Sequence, residues 1–190
     1  MTSWSFDPTH THIEFSTKHM MVTTVKGRFG TFSGNVEIDE QHPENSHVEV
    51  EIDAASIDTG APQRDGHLRS PDFFNAEQYP TISFKSTRVE RLGEAHGRLI
   101  GNLTILGQTR EVALDATFEG DITDMQGKRR AGFTASTSIS RKEWGLTWNV
   151  ALESGGLLVS DAVRINIDAE LVLQAPAIAD ATPSAAQTAR

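Results

Sequence analysis

Apolar and polar residues alternate through most of this chain. In HVEVEID, Val48, Val50 and Ile52 take one side while Glu49, Glu51 and Asp53 take the other. REVALDATFEG sets Val112, Leu114, Ala116 and Phe118 against Glu111, Ala113, Asp115 and Thr117. AVRINIDAELVL places Val163, Ile165, Ile167, Ala169, Leu171 and Leu173 on one face. TISFKS, RLIGNLTIL and RAGFTASTSIS behave alike. Successive side chains of a strand point to opposite faces, so these segments predict long strands with one apolar and one wet face.

Short turn signals separate them: Asp39 to Asn45 with its proline, Leu92–Gly93, Gly107–Gln108, and Asp121 to Gly127. Such brief links join antiparallel neighbours, because parallel strands need long crossovers. Seven to nine strands in about 170 residues predict a β-sandwich or a closed barrel. One stretch, APQRDGHLRSPDFFNAEQYP over residues 61–80, lacks alternation. Pro62 opens a helical turn there, and Ser70–Pro71 reads as a cap and first helical position, giving one or two short helices ending near Asn75. The alanine- and proline-rich residues 175–190 read as a disordered tail, leaving one domain over residues 1–174.

The inward positions mix large residues (Phe84, Phe118, Phe133, Ile139) with small ones (Gly101, Ala116, Ala135, Thr137). A filled core and a hollow barrel around one small ligand both suit this mixture, and alternation does not choose between them. The net charge of −9 opposes binding to nucleic acid. The basic run Lys128, Arg129 and Arg130 reads as a solvated turn. With no cysteine, disulfides and thiol chemistry are excluded. No signal peptide and no bilayer-length apolar run is visible, which predicts a soluble cytoplasmic protein.

Recognisable catalytic motifs are absent: no phosphate loop, nucleophile elbow or His-Glu-x-x-His helix. The one suggestive stretch is THTHIEFSTKH, residues 9–19. As a strand it sets His10, His12 and Glu14 on one face, the donor types of a metal triad, with Ile13, Phe15, Thr17 and His19 on the other. A metal-dependent enzyme using those three residues is therefore the alternative to a binding protein.

Several blocks in order carry a resemblance: DPTHTHIEF with KHMMVTTVKGRFGTFSG, VEVEIDAASIDTG, RDGHLRSPDFFNAEQYPTISFKS, GNLTILGQTREVAL, and AGFTASTSISRKEWGLTWN with ALESGGLLVSDAVRINIDAEL. The chain resembles the YceI-like family of lipocalin-like polyisoprenoid-binding proteins from about Trp4 to Leu173. The resemblance implies an all-β fold, an eight-stranded antiparallel lipocalin/streptavidin-like barrel with a short helical insertion near one end. It implies a long polyisoprenoid or isoprenoid-quinone-like lipid in an apolar interior, carried, stored or sequestered. It also implies a homodimer and carries over no catalytic residue; transient membrane contact and no cofactor are expected besides. The family has histidines at the His10 and His19 positions and varies at His12, which counts against the metal triad.

Face assignment together with the resemblance gives the candidate ligand-lining residues. They are Phe15, Phe29, Phe32, Ile52, Phe84, Leu103, Ile105, Leu114, Phe118, Phe133, Ile139, Trp144 and Trp148. His19 is a candidate partner for a ligand head group, or else a core histidine bonded to backbone. Trp144 and Trp148 straddle a glycine turn, where they would gate or seal one end.

Overall fold

The computed structural model describes residues 1–153 and 155–175. Eleven strand segments form one antiparallel sheet: β1 (Thr2–Phe6), β2 (His12–His19), β3 (Thr23–Phe29), β4 (Phe32–Ile38), β5 (His47–Asp53), β6 (Ile57–Asp58), β7 (Thr81–Arg91), β8 (His96–Ile105), β9 (Gln108–Thr123), β10 (Arg129–Ser140) and β11 (Val159–Leu173). One α-helix, α1 (Pro62–Arg69), lies between β6 and β7.

The register reduces the eleven segments to a closed barrel of eight strands. β1 and β2 run end to end along β11, with Phe6 opposite Leu171 and Ile13 opposite Ile167. β3 and β4 follow them on the other side, with Ile13 opposite Phe29 and Trp4 opposite Val36. β5 and β6 continue the same arrangement, with Ile52 opposite Phe32 and Ile57 opposite Phe29. Each pair is one strand with a break. β7 to β11 then follow as an unbroken meander, and β11 closes the ring on β1 and β2.

The three breaks lie side by side and have local causes. After Pro8, the Asp7 carboxylate accepts the Thr9 N–H at 2.9 Å, turning the chain out of the strand. The Asp53 carboxylate accepts the Ala55 N–H at 2.9 Å and starts a 3₁₀ turn over Ala54–Ser56. Between them the Gly30 and Asp53 N–H groups donate to Ser56 O and Thr31 O, at 3.2 and 3.0 Å.

Pro62 occupies the first turn of α1, as its missing N–H favours. Ser70 ends that helix instead of starting a second one: its own N–H and hydroxyl both donate to His67 O. Residues 71–79 form turns, with Asn75 in the left-handed region at φ 42°. The Arg69 guanidinium ties the helix to the barrel by donating to Ala55 O and Ile57 O, both at 2.7 Å. The tail expected beyond residue 174 falls almost wholly outside the described residues. Among the described residues no helix is long and apolar enough to cross a membrane.

Candidate functional site

The barrel interior encloses a cavity of about 690 Å³. Its two ends differ. At the α1 end, Leu68, Phe73, Phe74, Leu146 and Arg141 form a floor. The indole of Trp144 is 1% exposed and donates to Leu103 O at 3.1 Å beneath that floor. Trp148 packs edge-on against His67, with centroids 4.7 Å apart, and tilted against Phe73 at 5.2 Å. At the other end the wall runs out to Glu40, Arg91, Glu94, His96, Asp121 and Arg129. Exposure along the inward face of β9 marks the opening: Leu114 is 6% exposed and Phe118 38%. Inward residues of β10 and β11, such as Ala135, Ile139, Ile165 and Ile167, keep partial exposure because they border this space.

Most of the lining predicted from the sequence is on the wall. Phe15, Phe29 and Ile52 line it from β2, β3 and β5; Phe84, Leu103, Ile105 and Leu114 from β7 to β9. Phe118 and Phe133 meet near the mouth with ring centroids 5.2 Å apart, and Ile139 lies lower on β10. Gly101 leaves room for Phe84: a Cβ there would come within 2.6 Å of the ring and 2.5 Å of Lys85 O.

Four predicted residues fall elsewhere. Phe32 meets Phe6 edge-on, centroids 6.0 Å apart, and Phe6 is the ring that reaches the cavity. Trp144 and Trp148 lie behind the floor. His19 ends β2 at the closed end, opposite Thr23 and Val159, away from the lining. Wall residues absent from the candidate set include Phe6, Ile13, Val36, Ile82 and Leu99. Their alternation with polar neighbours was the available signal, and the inward rows of Val48 to Ile52, Val112 to Phe118 and Val163 to Leu171 do line the cavity.

The cavity has little free polarity. Thr11 and Thr17 donate their hydroxyls to Glu170 O and Ala162 O at 3.2 and 3.1 Å. Arg141, 3% exposed, spends its guanidinium on backbone: Nε donates to Ser160 O at 2.9 Å, and Nη1 to Leu146 O and Trp148 O at 2.6 and 2.9 Å. Burial holds its pKa below the ordinary arginine value.

The basic run at the open end is not a solvated turn. Arg129 begins β10, pairs with Glu40 and Asp121 at 2.5 and 2.7 Å, and lies 5.6 Å over the Trp4 ring. Arg130 pairs with Asp7 and Asp124, each at 2.7 Å, and with Glu170. Its guanidinium, with help from His10, holds the Asp7 carboxyl well below the usual carboxylate range.

These pairs also dispose of the metal triad. His10 lies in the turn before β2 and not in the strand, so it does not share a face with His12 and Glu14. Its Nδ1 faces Asp7 at 3.2 Å and Glu170 at 3.8 Å. That is the one group of three metal-type donors among the described residues, and Arg130 already bridges its two carboxylates. His12 and Glu14 point outward along β2.

An antiparallel barrel with a sealed floor, an apolar interior and an open mouth is a container of the kind that holds one small ligand. The chain belongs to the YceI-like family, whose domain model matches residues 4–171. It is 35% identical over 171 residues to a UPF0312 protein of Staphylococcus epidermidis, covering 90% of this chain and 97% of that one. A Campylobacter jejuni YCEI protein superposes with a TM-score of 0.73 at 30% identity, over 83% of this chain and 90% of its own. Burkholderia cenocepacia BcnA gives 0.75 at 23% identity, over 87% and 98%. A polyisoprenoid binding domain from Saccharophagus degradans gives 0.64 at 16% identity, over 92% and 100%. The last two likenesses bear on the fold alone.

Proposed function

We propose that the protein binds one long-chain isoprenoid or isoprenoid-quinone-like lipid, tail inward, as a carrier or reservoir and not as an enzyme. The observation that carries this reading is the apolar cavity itself. Its volume falls within the range of about 300–1,000 Å³ typical of small-molecule sites. Its inner walls are mainly aliphatic and aromatic; Thr11, Thr17 and Arg141 are bonded to backbone, and the charged residues gather at the rim. A domain of the same fold from Saccharophagus degradans is named for polyisoprenoid binding, the class of ligand proposed here.

Burial of hydrocarbon supplies the driving force. Each methylene taken from water contributes about 0.8 kcal/mol, so a five-carbon unit contributes roughly 4 kcal/mol before the loss of chain entropy. Affinity then rises with tail length until the floor is reached. Head-group choice falls to the rim, where Arg91 and His96 stand among carboxylates. The homodimer belongs to the same proposal and is read by light scattering of the purified protein.

Mass spectrometry of an organic extract tests the reading, together with the substitution Ala135→Trp. Ala135 lies mid-wall between Ala116 and Ile167, so an indole there fills the space a tail would take. Wild-type protein yields a stoichiometric prenyl lipid and binds a labelled polyprenol; the variant retains its circular dichroism and loses at least about tenfold in binding. A clean extract with no polyprenol binding, or equal binding by the variant, overturns the proposal.

A further inference from the structure

The reversal between β2 and β3 is built against local preference. Val22 N–H donates to His19 O at 3.1 Å, and between them Met20 and Met21 hold φ of 51° and 60°. Two successive positive φ values make a type I′ turn, for which Asn-Gly is the least strained pair. Here two methionines take it at the surface: Met21 is 71% exposed with its sulfur 3.6 Å from Ser160 Oγ, Met20 is 43% exposed, and the following Val22 79%. Strain kept at an apolar tip is a sign of use. The patch continues onto the segment before β11. Met20 N–H donates to Leu158 O at 2.8 Å, and Val150 and Leu157 are exposed beside it.

The outer face next to this tip is basic. Ser16 of β2 is flanked by Arg164 of β11 and Lys26 of β3, and Lys18 lies two residues nearer the tip on the same face. All three cations are exposed, and none forms an ion pair among the described residues. Among the acidic groups nearby, Glu14 of β2 lies opposite Arg28 and Asn166, Asp161 of β11 accepts the Ser140 hydroxyl at 2.7 Å, and Glu153 borders the groove beside Met20 and Val22. In a chain of net charge −9 this is a local reversal of sign.

We propose that this closed end docks on an anionic phospholipid bilayer. Met20, Met21 and Val22 enter the interface, while Lys18, Lys26 and Arg164 meet the head groups. An apolar insert beside a basic patch supplies the two signals that stable but reversible membrane binding requires. A second copy of the chain suits the face poorly, because a twofold contact would set the three cations against their own images. The docking is independent of what the barrel holds, so it stands or falls apart from ligand extraction.

Flotation of the full chain with vesicles tests it, using phosphatidylcholine alone or mixed with phosphatidylglycerol. Wild-type protein floats with the anionic vesicles, stays behind with phosphatidylcholine, and is released by high salt. The double substitutions Met21→Ser with Val22→Ser, and Lys18→Gln with Lys26→Gln, each weaken binding about tenfold or more without changing circular dichroism or lipid content. Absence of wild-type binding overturns the proposal, as does undiminished binding by either variant. So does a wild-type dimer that the tip variant splits into monomers while vesicle binding is unchanged.

Discussion

The two ends of the barrel are built from different interactions. The closed end is held by largely desolvated contacts: Arg141 on four backbone carbonyls, Trp144 on a fifth, and Trp148 against Phe73 and the half-buried His67. The open end is held by ion pairs at the water boundary, centred on Arg129 and Arg130. Water cannot replace the first set and competes freely with the second. A floor made of the first kind keeps its seal against hydrocarbon. A rim made of the second kind keeps its shape without covering the interior with apolar side chains.

The contrast is broken most sharply at Arg141. Replacement by Ala strands several buried carbonyls, each costing about 1–3 kcal/mol, so the expected loss is about 4 kcal/mol in urea unfolding with an unchanged m-value. A loss below about 1 kcal/mol would place the stability of the floor elsewhere.

A middle-sized effect belongs to Arg130. Asp7 and Asp124 have pKa values depressed by its guanidinium. A carboxyl with a depressed folded pKa contributes stability above its unfolded value, near pH 4, and loses it as pH falls toward the folded value. The Arg130→Met variant therefore melts below wild type at neutral pH, and the two curves converge below about pH 4. Parallel melting curves down to pH 2 would deny the network this role. The smallest effect is expected of Arg129→Gln: a change in Tm of no more than about 2 °C, because its pairs stay partly hydrated, and one that shrinks further in salt.

Alternation made the walls legible, since an inward residue on a strand has inward neighbours at every second position. The same signal placed Phe15, Phe84, Leu114 and Ile139 on the cavity side. It failed where the chain leaves the strand. Strict alternation puts His10 on a face with His12, but Asp7-Pro8 just before it is a turn signal, and the Asp7 carboxylate caps that turn. Phe32 has the correct parity, but Phe6, distant in sequence, takes its place at the wall. Asp121 and Asp124 lie in the same hairpin as Arg129 and Arg130, but the other partners, Glu40 after β4, Asp7 after β1 and Glu170 of β11, are distant in sequence, so no local window shows the whole network. Whether the barrel was filled or hollow depended on how eight strands close, which no single strand encodes.

The seam of the cylinder joins the earliest strands to the last one. β11 supplies the partner for both β1 and β2, so a chain emerging from the ribosome remains an open trough until residue 173 is made. Every other pairing links neighbours along the chain and can form as synthesis proceeds. A translation product halted before Val159 therefore presents its greasy lining to the surroundings, and becomes a client for chaperones and proteases rather than a weaker version of the finished molecule.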